Sequence, residues 1–143
     1  MSTYTYRPEM TVRFRDVDAY GQVHNAVFLI YVEEARVRYF RDVLGEDFTE
    51  LNGAIVRQDV EYASPITLED SVIVPHRVAH LGETSLTMEF EVRTTSGSGD
   101  ESLAAEGSVT HVVLDADDAP RPVPDAWREA ICDFEDAPVE GVE

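Results

Sequence analysis

Residues 15–26 read RDVDAYGQVHNA. Asp16 and Asp18 stand two apart, Gly21 follows, then His24 and Asn25, and an apolar run opens directly behind them at Val27. These residue types can do acid–base or nucleophilic work, because a carboxylate attacks a carbonyl or activates a water that does. A helix starting here adds orphan N–H groups and the positive end of its dipole, the equipment that stabilises an oxyanion. The same residues also make an ordinary solvated turn and a helix cap. On residue types alone both readings stand, and the turn is the commoner one.

The flanking segments must position this cluster. Residues 10–15, MTVRFR, alternate apolar and polar and predict a strand. NAVFLIYVEEARVRYFRDVLG predicts one long helix, with Asn25 as N-cap and Gly45 as its C-terminal stop. Its first turns, Val27 to Val32, are apolar nearly all round, the pattern of a helix buried on most sides. Glu34 and Arg38 stand four apart in the order that favours a helix ion pair. Glu33 pairs with Arg36 on this reading.

Four more strands are predicted at 54–62, 71–81, 84–94 and 102–115, with Leu86, Met88, Phe90 and Val92 sharing one face of the third. Gly82–Glu83 and the SGSGDE run read as hairpin turns, and Pro75 marks an edge or a bulge. PDAWREAICDFE predicts a short C-terminal helix, and the last residues read as a mobile end. The order is strand, long helix, then antiparallel strands: an α+β single domain over 1–143, with its core at about 8–131.

Charge narrows the function. The chain carries 29 acids against 11 basic residues, all arginine, for a net charge of −18. From Asp115 onward there are 10 acids and 2 arginines, so most of the acidity lies in the body of the chain. Nucleic acid is excluded as a partner, because phosphate contacts need a basic patch. An acidic, lysine-free surface resembles proteins of salt-loving cells, where molar salt screens such self-repulsion. No apolar run suits a membrane span, MSTYTYRPEM lacks the regions of a secretory signal, and Cys132 is the one cysteine. The expectation is a halophilic, cytoplasmic protein. His76, His80 and His111 show no ligand spacing, so no metal is expected, and Cys132 has no base near it in sequence.

The chain resembles the hot-dog-fold acyl-CoA thioesterases of the 4-hydroxybenzoyl-CoA thioesterase-like group. Asp16, Asp18, Ala19, Gly21, Val23, Asn25 and Ala26 supply that family's D-x-D-A-x-G-x-V-x-N-A pattern, followed by YVEEAR on its helix. VEYASPITLEDSVIV, VAHLGETSLTMEFEV and RPVPDAWREAI resemble its later strands and its C-terminal ending. The resemblance covers about residues 8–131. It implies a hot-dog fold, an antiparallel five-stranded sheet wrapped around one long central helix. It further implies a homodimer or homotetramer whose subunits join their sheets, with active sites at the interface. Members of the family also carry an acid at the position of Glu33, and the resemblance implies that Glu33 lies at the subunit interface instead of serving only Arg36. No cofactor is implied; coenzyme A enters as part of the acyl-CoA substrate.

The resemblance makes Asp18 the catalytic acid and Asp16 a support for the loop. Asn25 caps the helix, holds a water or orients Asp18. Gly21 lets the backbone approach the substrate, and Val23 and His24 turn their N–H groups toward the thioester oxygen. His24 departs from the commonest pattern; where relatives carry a histidine it aligns on Asn25. An acid–base role for His24 is the lesser reading. Tyr20, with Phe14, Phe28 and Tyr31, suits an aromatic acyl group or ordinary packing. Arg57, Arg77 and Arg93 are the arginines open to coenzyme A phosphates. The alternatives are a thioesterase acting on acyl carrier protein, which the acidic surface would repel except in strong salt, and a non-catalytic acyl-binding protein, which has no need of Asp18. A dehydratase would need an Asp–His arrangement that the sequence lacks.

Overall fold

The computed structural model describes residues 4–95 and 99–141. In chain order the elements are β1 (Glu9–Thr11), α1 (Asn25–Leu44), β2 (Gly53–Tyr62), β3 (Ser71–Ile73), β4 (His76–Leu81), β5 (Ser85–Thr95), β6 (Glu101–Val113) and α2 (Asp125–Phe134), with single 3₁₀ turns at Phe14–Asp16 and Phe48–Glu50. All ladders between strands are antiparallel. The sheet order is β1-β3-β5-β6-β2, with β4 also paired to β5.

Among the described residues the sheet has six strands and not the expected five. Pro75 is the reason. It has no N–H to give the ladder, so the strand read at 71–81 divides into β3 and β4, which occupy successive stretches of β5. The chain on the other side continues across the gap: Val74 N–H reaches Pro8 O at 2.9 Å and His76 N–H reaches Tyr6 O at 2.9 Å. The first strand also ends early. It stops at Thr11, because Asp16 closes a 3₁₀ turn by taking the Arg13 N–H on its Oδ2 at 2.8 Å. The Gly82 turn forms, with Gly82 N–H on Ser85 O at 2.8 Å. The turn read at SGSGDE falls partly on residues 96–98, outside the described residues.

α1 lies across one face of the sheet. The alternation of β5 places Leu86, Met88, Phe90 and Val92 in the core, all fully buried. Phe28, Tyr31, Val32 and Ala35 of α1 pack with Val72, Val74, Phe90 and Val92; further along, Tyr39 and Phe40 pack with Leu86, Met88 and Trp127 and Ile131 of α2. Gly45 ends the helix as read, with φ 69°, and Glu46 N–H reaches back to Phe40 O at 3.0 Å. The flank of α1 is less covered than its sequence suggests: Ile30 is 57% exposed. β2 is the edge strand beside that flank, paired among the described residues only to β6, and it leaves Ile55, Val56 and Tyr62 exposed.

The C-terminal end is not loose through Gly141. Glu140 N–H donates to Ala79 O and Leu81 N–H donates to Glu140 O, at 3.0 and 2.8 Å, binding the segment to the edge of β4. Among the described residues no helix is long and apolar enough to cross a membrane.

Candidate active site

Residues 17–23 form a small hairpin that delivers Asp18 to the N-terminus of α1. Val17 and Val23 bridge, Asp18 N–H donates to Gln22 O at 2.8 Å, and Gly21 N–H donates to Asp18 O at 3.0 Å. Gly21 sits at φ 79°, the left-handed region that glycine enters without steric cost. A Cβ there would meet nothing within 4 Å, so the backbone angle, not crowding, calls for glycine. The hairpin is anchored to the sheet side through Gln22, which bridges Thr67.

Asp18 is half-exposed. Its Oδ1 accepts the N–H groups of Tyr20 at 2.8 Å and Gln22 at 3.1 Å. Among the described residues neither bond falls on Oδ2, which is left for water or substrate. The Gln22 N–H is the largest cause holding the Asp18 carboxyl below its ordinary value, and His24 is close enough to add to the effect. Asp18 is therefore ionised at neutral pH, as a nucleophile or a water-activating base must be.

The helix terminus differs from the sequence reading in two ways. His24, not Asn25, is the N-cap, and its side chain makes no capping bond. Asp16 O takes the His24 N–H at 3.0 Å, which holds His24 in extended backbone (ψ 142°) and starts the helix one residue later, at Asn25. The expectation that Val23 and His24 aim their N–H groups at a thioester also fails. Val23 N–H is taken by Ile66 O at 2.8 Å and His24 N–H by Asp16 O. Val23 is a buried wedge, and not a donor.

The free donors are the next two. Among the described residues the N–H groups of Asn25 and Ala26 have no hydrogen-bond partner, while Val27 N–H already returns to His24 O at 2.9 Å. Sequence reasoning missed Ala26 as a donor, although its small side chain in the first turn was a visible signal. It also missed Tyr62, which donates its hydroxyl to Asn25 O at 2.9 Å and sets its ring on Phe28, with centroids 5.1 Å apart. Nothing local in the sequence ties the end of β2 to the start of α1.

The other candidates scatter. The side chain of Tyr20 is 90% exposed, beside the site and not in its floor. Glu33 stands 3.9 Å from buried Arg36, and Glu34 pairs with Arg38. Arg57, Arg77 and Arg93 are each engaged by an acid, at 3.1, 3.0 and 2.8 Å. Cys132 is exposed on α2, which packs on the far half of α1. Among the described residues no three His, Cys, Asp or Glu side chains come together as metal ligands.

An antiparallel sheet wrapped around one long helix, with an acid-bearing loop at that helix's N-terminus, is the hot-dog architecture of thioesterases. The chain belongs to the thioesterase-like superfamily, whose profile matches residues 12–131. A thioesterase of Thermus thermophilus, solved with coenzyme A and zinc, is 40% identical with a TM-score of 0.85, over 97% of this chain and 100% of its own. The PA2801 protein of Pseudomonas aeruginosa is 30% identical with a TM-score of 0.79, over 90% of this chain and 98% of its own. The uncharacterised protein YsmA of Bacillus subtilis is 22% identical over 91 residues, which span 62% of this chain and 61% of YsmA.

Proposed function

We propose that the chain hydrolyses acyl-CoA thioesters at the junction of the Asp18 loop and α1. The observation that carries this reading is an Asp18 whose two loop hydrogen bonds both fall on Oδ1, on the hairpin that runs into the N-terminus of α1, where among the described residues the Asn25 and Ala26 N–H groups have no partner. The thioester oxygen sits on those two donors. Water loses a proton to Asp18 and attacks the carbonyl carbon, or Oδ2 attacks directly and water then cleaves the resulting anhydride. Either way the C–S bond breaks, and a carboxylate and the free thiol leave. The helix N-terminus stabilises the oxyanion, a contribution of about 10² to 10³ in rate per donor in enzymes that use such holes. On the general-base route the proton that Asp18 took from water passes to the leaving thiolate; on the nucleophilic route the hydrolysing water supplies it.

The acyl group extends along the cleft of about 220 Å³ between α1 and β2, lined by Leu29, Ile30, Glu33, Arg36, Ile55 and Gln58. That cleft is open on one side, and among the described residues the outer edge of the ten-residue β2 beside it is unpaired. A long free edge with exposed apolar residues is a surface that proteins cover. We place a second copy there, giving a homodimer or a homotetramer built from it, in the cytoplasm. Light scattering in molar salt checks this; a monomer with full activity overturns it.

The test of the activity is a panel of acyl-CoA thioesters, short, long and aromatic, followed by release of free thiol. Hydrolysis well above the uncatalysed rate is the expected outcome. A folded protein that binds acyl-CoA without turnover would favour the acyl-binding alternative.

A further inference from the structure

We propose that Arg13 and Arg15, with Phe14 and Tyr20 beside them, bind the nucleotide end of coenzyme A, so that the outer rim of the Asp18 loop selects the carrier. This rests on the thioesterase reading above. It starts from the scarcity of cations in a chain of net charge −18 with 11 arginines and no lysine. Seven of those arginines pair with acids. Arg121 lies over the Trp127 ring at 5.9 Å, and Arg128 donates to the carbonyls of Gly82 and Glu83. Arg13 and Arg15 are exposed, and among the described residues neither side chain forms an ion pair or a hydrogen bond.

The neighbouring acids are turned to other work. Asp16 Oδ2 is held by the Arg13 N–H and the Tyr31 hydroxyl, both at 2.8 Å, and Asp18 Oδ1 by the N–H groups of its own loop. So, among the described residues, two guanidinium groups without an ion-pair partner stand on the turn that leads directly into Asp18. Guanidinium groups left free at a site mouth suit phosphate oxygens, which they bind through charge-assisted hydrogen bonds. Along the same loop stand the two most exposed large apolar side chains among the described residues: Phe14 at 82%, between the two arginines in the chain, and Tyr20 at 90%, five residues beyond Arg15. Exposed aromatic faces beside a phosphate-binding cation suit a nucleobase, which stacks on them.

Phosphates next to a purine are the chemistry of the coenzyme A nucleotide. The pantetheine arm of a carrier protein has no purine, and an acidic carrier protein would meet a surface of its own sign. The rim therefore favours coenzyme A over a protein carrier. Arg57, Arg77 and Arg93, the arginines that sequence alone offered for the phosphates, are already paired.

The experiment compares one acyl group on coenzyme A and on pantetheine, with wild type and the Arg13→Ala/Arg15→Ala variant, at about 0.2 M salt where such contacts are only partly screened. The variant should raise KM for the CoA thioester about tenfold or more, the loss expected for one or two charge-assisted hydrogen bonds. Its kcat, and both constants for the pantetheine thioester, should hold. Arg→Lys at both positions should recover part of the KM. In the wild type, adenosine 3′,5′-bisphosphate should compete with acyl-CoA, a measurement that needs no variant. Equal losses on both substrates, an unchanged KM for the CoA thioester, or no competition overturns the proposal. If the wild type cleaves neither thioester, the thioesterase reading itself has failed.

Discussion

Tyr31 donates its hydroxyl to Asp16 Oδ2 at 2.8 Å, joining the second turn of α1 to the loop that carries Asp18. Burial, and then the Asp16 carboxylate, push the Tyr31 phenol above its ordinary value, so it remains a donor. The same Asp16 oxygen takes the Arg13 N–H, and the Asp16 carbonyl takes the His24 N–H. One residue thus fixes both the entry and the exit of the Asp18 hairpin. Tyr31→Phe should cost about 1 kcal/mol of stability, since a half-exposed carboxylate that loses one donor is rehydrated. It should lower kcat by less than the loss of Asp18 does. Thermal unfolding and turnover of the purified variant check both; a drop in kcat as deep as that of an Asp18 variant would place Asp16 or Tyr31 in the chemistry.

Asp18→Asn tests the acid itself. Asparagine keeps an oxygen to accept the Tyr20 and Gln22 N–H groups, so the hairpin should survive. The charge is lost, and turnover should fall by about 10² to 10⁴. KM and unfolding temperature should change little. Asp16→Asn is the matched control, with a smaller loss. A folded Asp18→Asn protein with near-wild-type turnover would falsify the assignment and move the search to His24.

Much of this was legible in the sequence, for identifiable reasons. The period of β5 is strict, so its buried face could be named residue by residue. The acid–glycine–asparagine cluster could be placed at the mouth of α1 because Gly45 and the apolar run fixed that helix. What escaped was hydrogen bonding across sequence distance. The capture of His24 N–H by Asp16 O and of Val23 N–H by Ile66 O leaves Asn25 and Ala26 as the N–H groups without a partner among the described residues. No propensity at positions 23–26 encodes which carbonyl will lie opposite. The free state of Arg13 and Arg15 was hidden likewise, because it depends on where every other arginine found an acid.

Glu135 ties three elements together. From the residue that ends α2, its Oε2 accepts the Val78 N–H of β4 at 3.0 Å and the Tyr39 hydroxyl of α1 at 2.5 Å, while Oε1 has no partner among the described residues. Burial raises its carboxyl above the ordinary 4.5. The native state then keeps this proton to higher pH than the unfolded chain does. Its contribution is full below about pH 4.5 and is lost as the pH rises through the raised value. Glu135→Gln keeps an acceptor for both donors without the charge. It should be at least as stable as wild type at pH 7, by a margin that grows from pH 4.5 upward. Glu135→Ala strands both donors, at about 1–3 kcal/mol each. Denaturant titrations across this pH range decide the matter; a Gln variant that loses stability as the pH rises would refute it.

His76 acts with the opposite sign. Burial holds it at about 3, and holds His111 at about 4, against an ordinary 6.5. Both stay neutral in the native state while the unfolded chain takes up protons. Stability present above pH 6.5 is therefore lost as the pH falls toward 4. Among the described residues neither ring nitrogen of His76 has a partner, and its ring lies on Phe90 with centroids 6.3 Å apart. His76→Leu removes no hydrogen bond and should flatten the acid limb of the stability curve. An unchanged acid limb in that variant would show that other groups govern it.

The acidic surface has a local focus in the sheet. Glu106 of β6 stands directly opposite Glu61 of β2 on one side and Glu91 of β5 on the other. Like charges facing each other across strands are destabilising, by a fraction of a kcal/mol in exposed pairs. Glu91 is partly relieved by Arg93 at 2.8 Å, whereas Glu106 and Glu61 form no ion pair among the described residues. Glu89 and Asp59 flank the row one register step away, each opposite Ser108. At about 0.1 M salt the screening length is about 10 Å, longer than the spacing of neighbouring strands, and at about 1 M it is about 3 Å. The unfolding temperature should therefore rise strongly from dilute buffer to molar salt, as the net charge of −18 also demands. Glu106→Gln should raise it by about 1–4 °C in dilute buffer. That gain should shrink toward zero in molar salt, where the repulsion it relieves is already screened. A midpoint indifferent to salt would remove the halophilic reading. A Glu106→Gln gain of equal size at both ionic strengths would mean that the substitution acts through packing and not through charge.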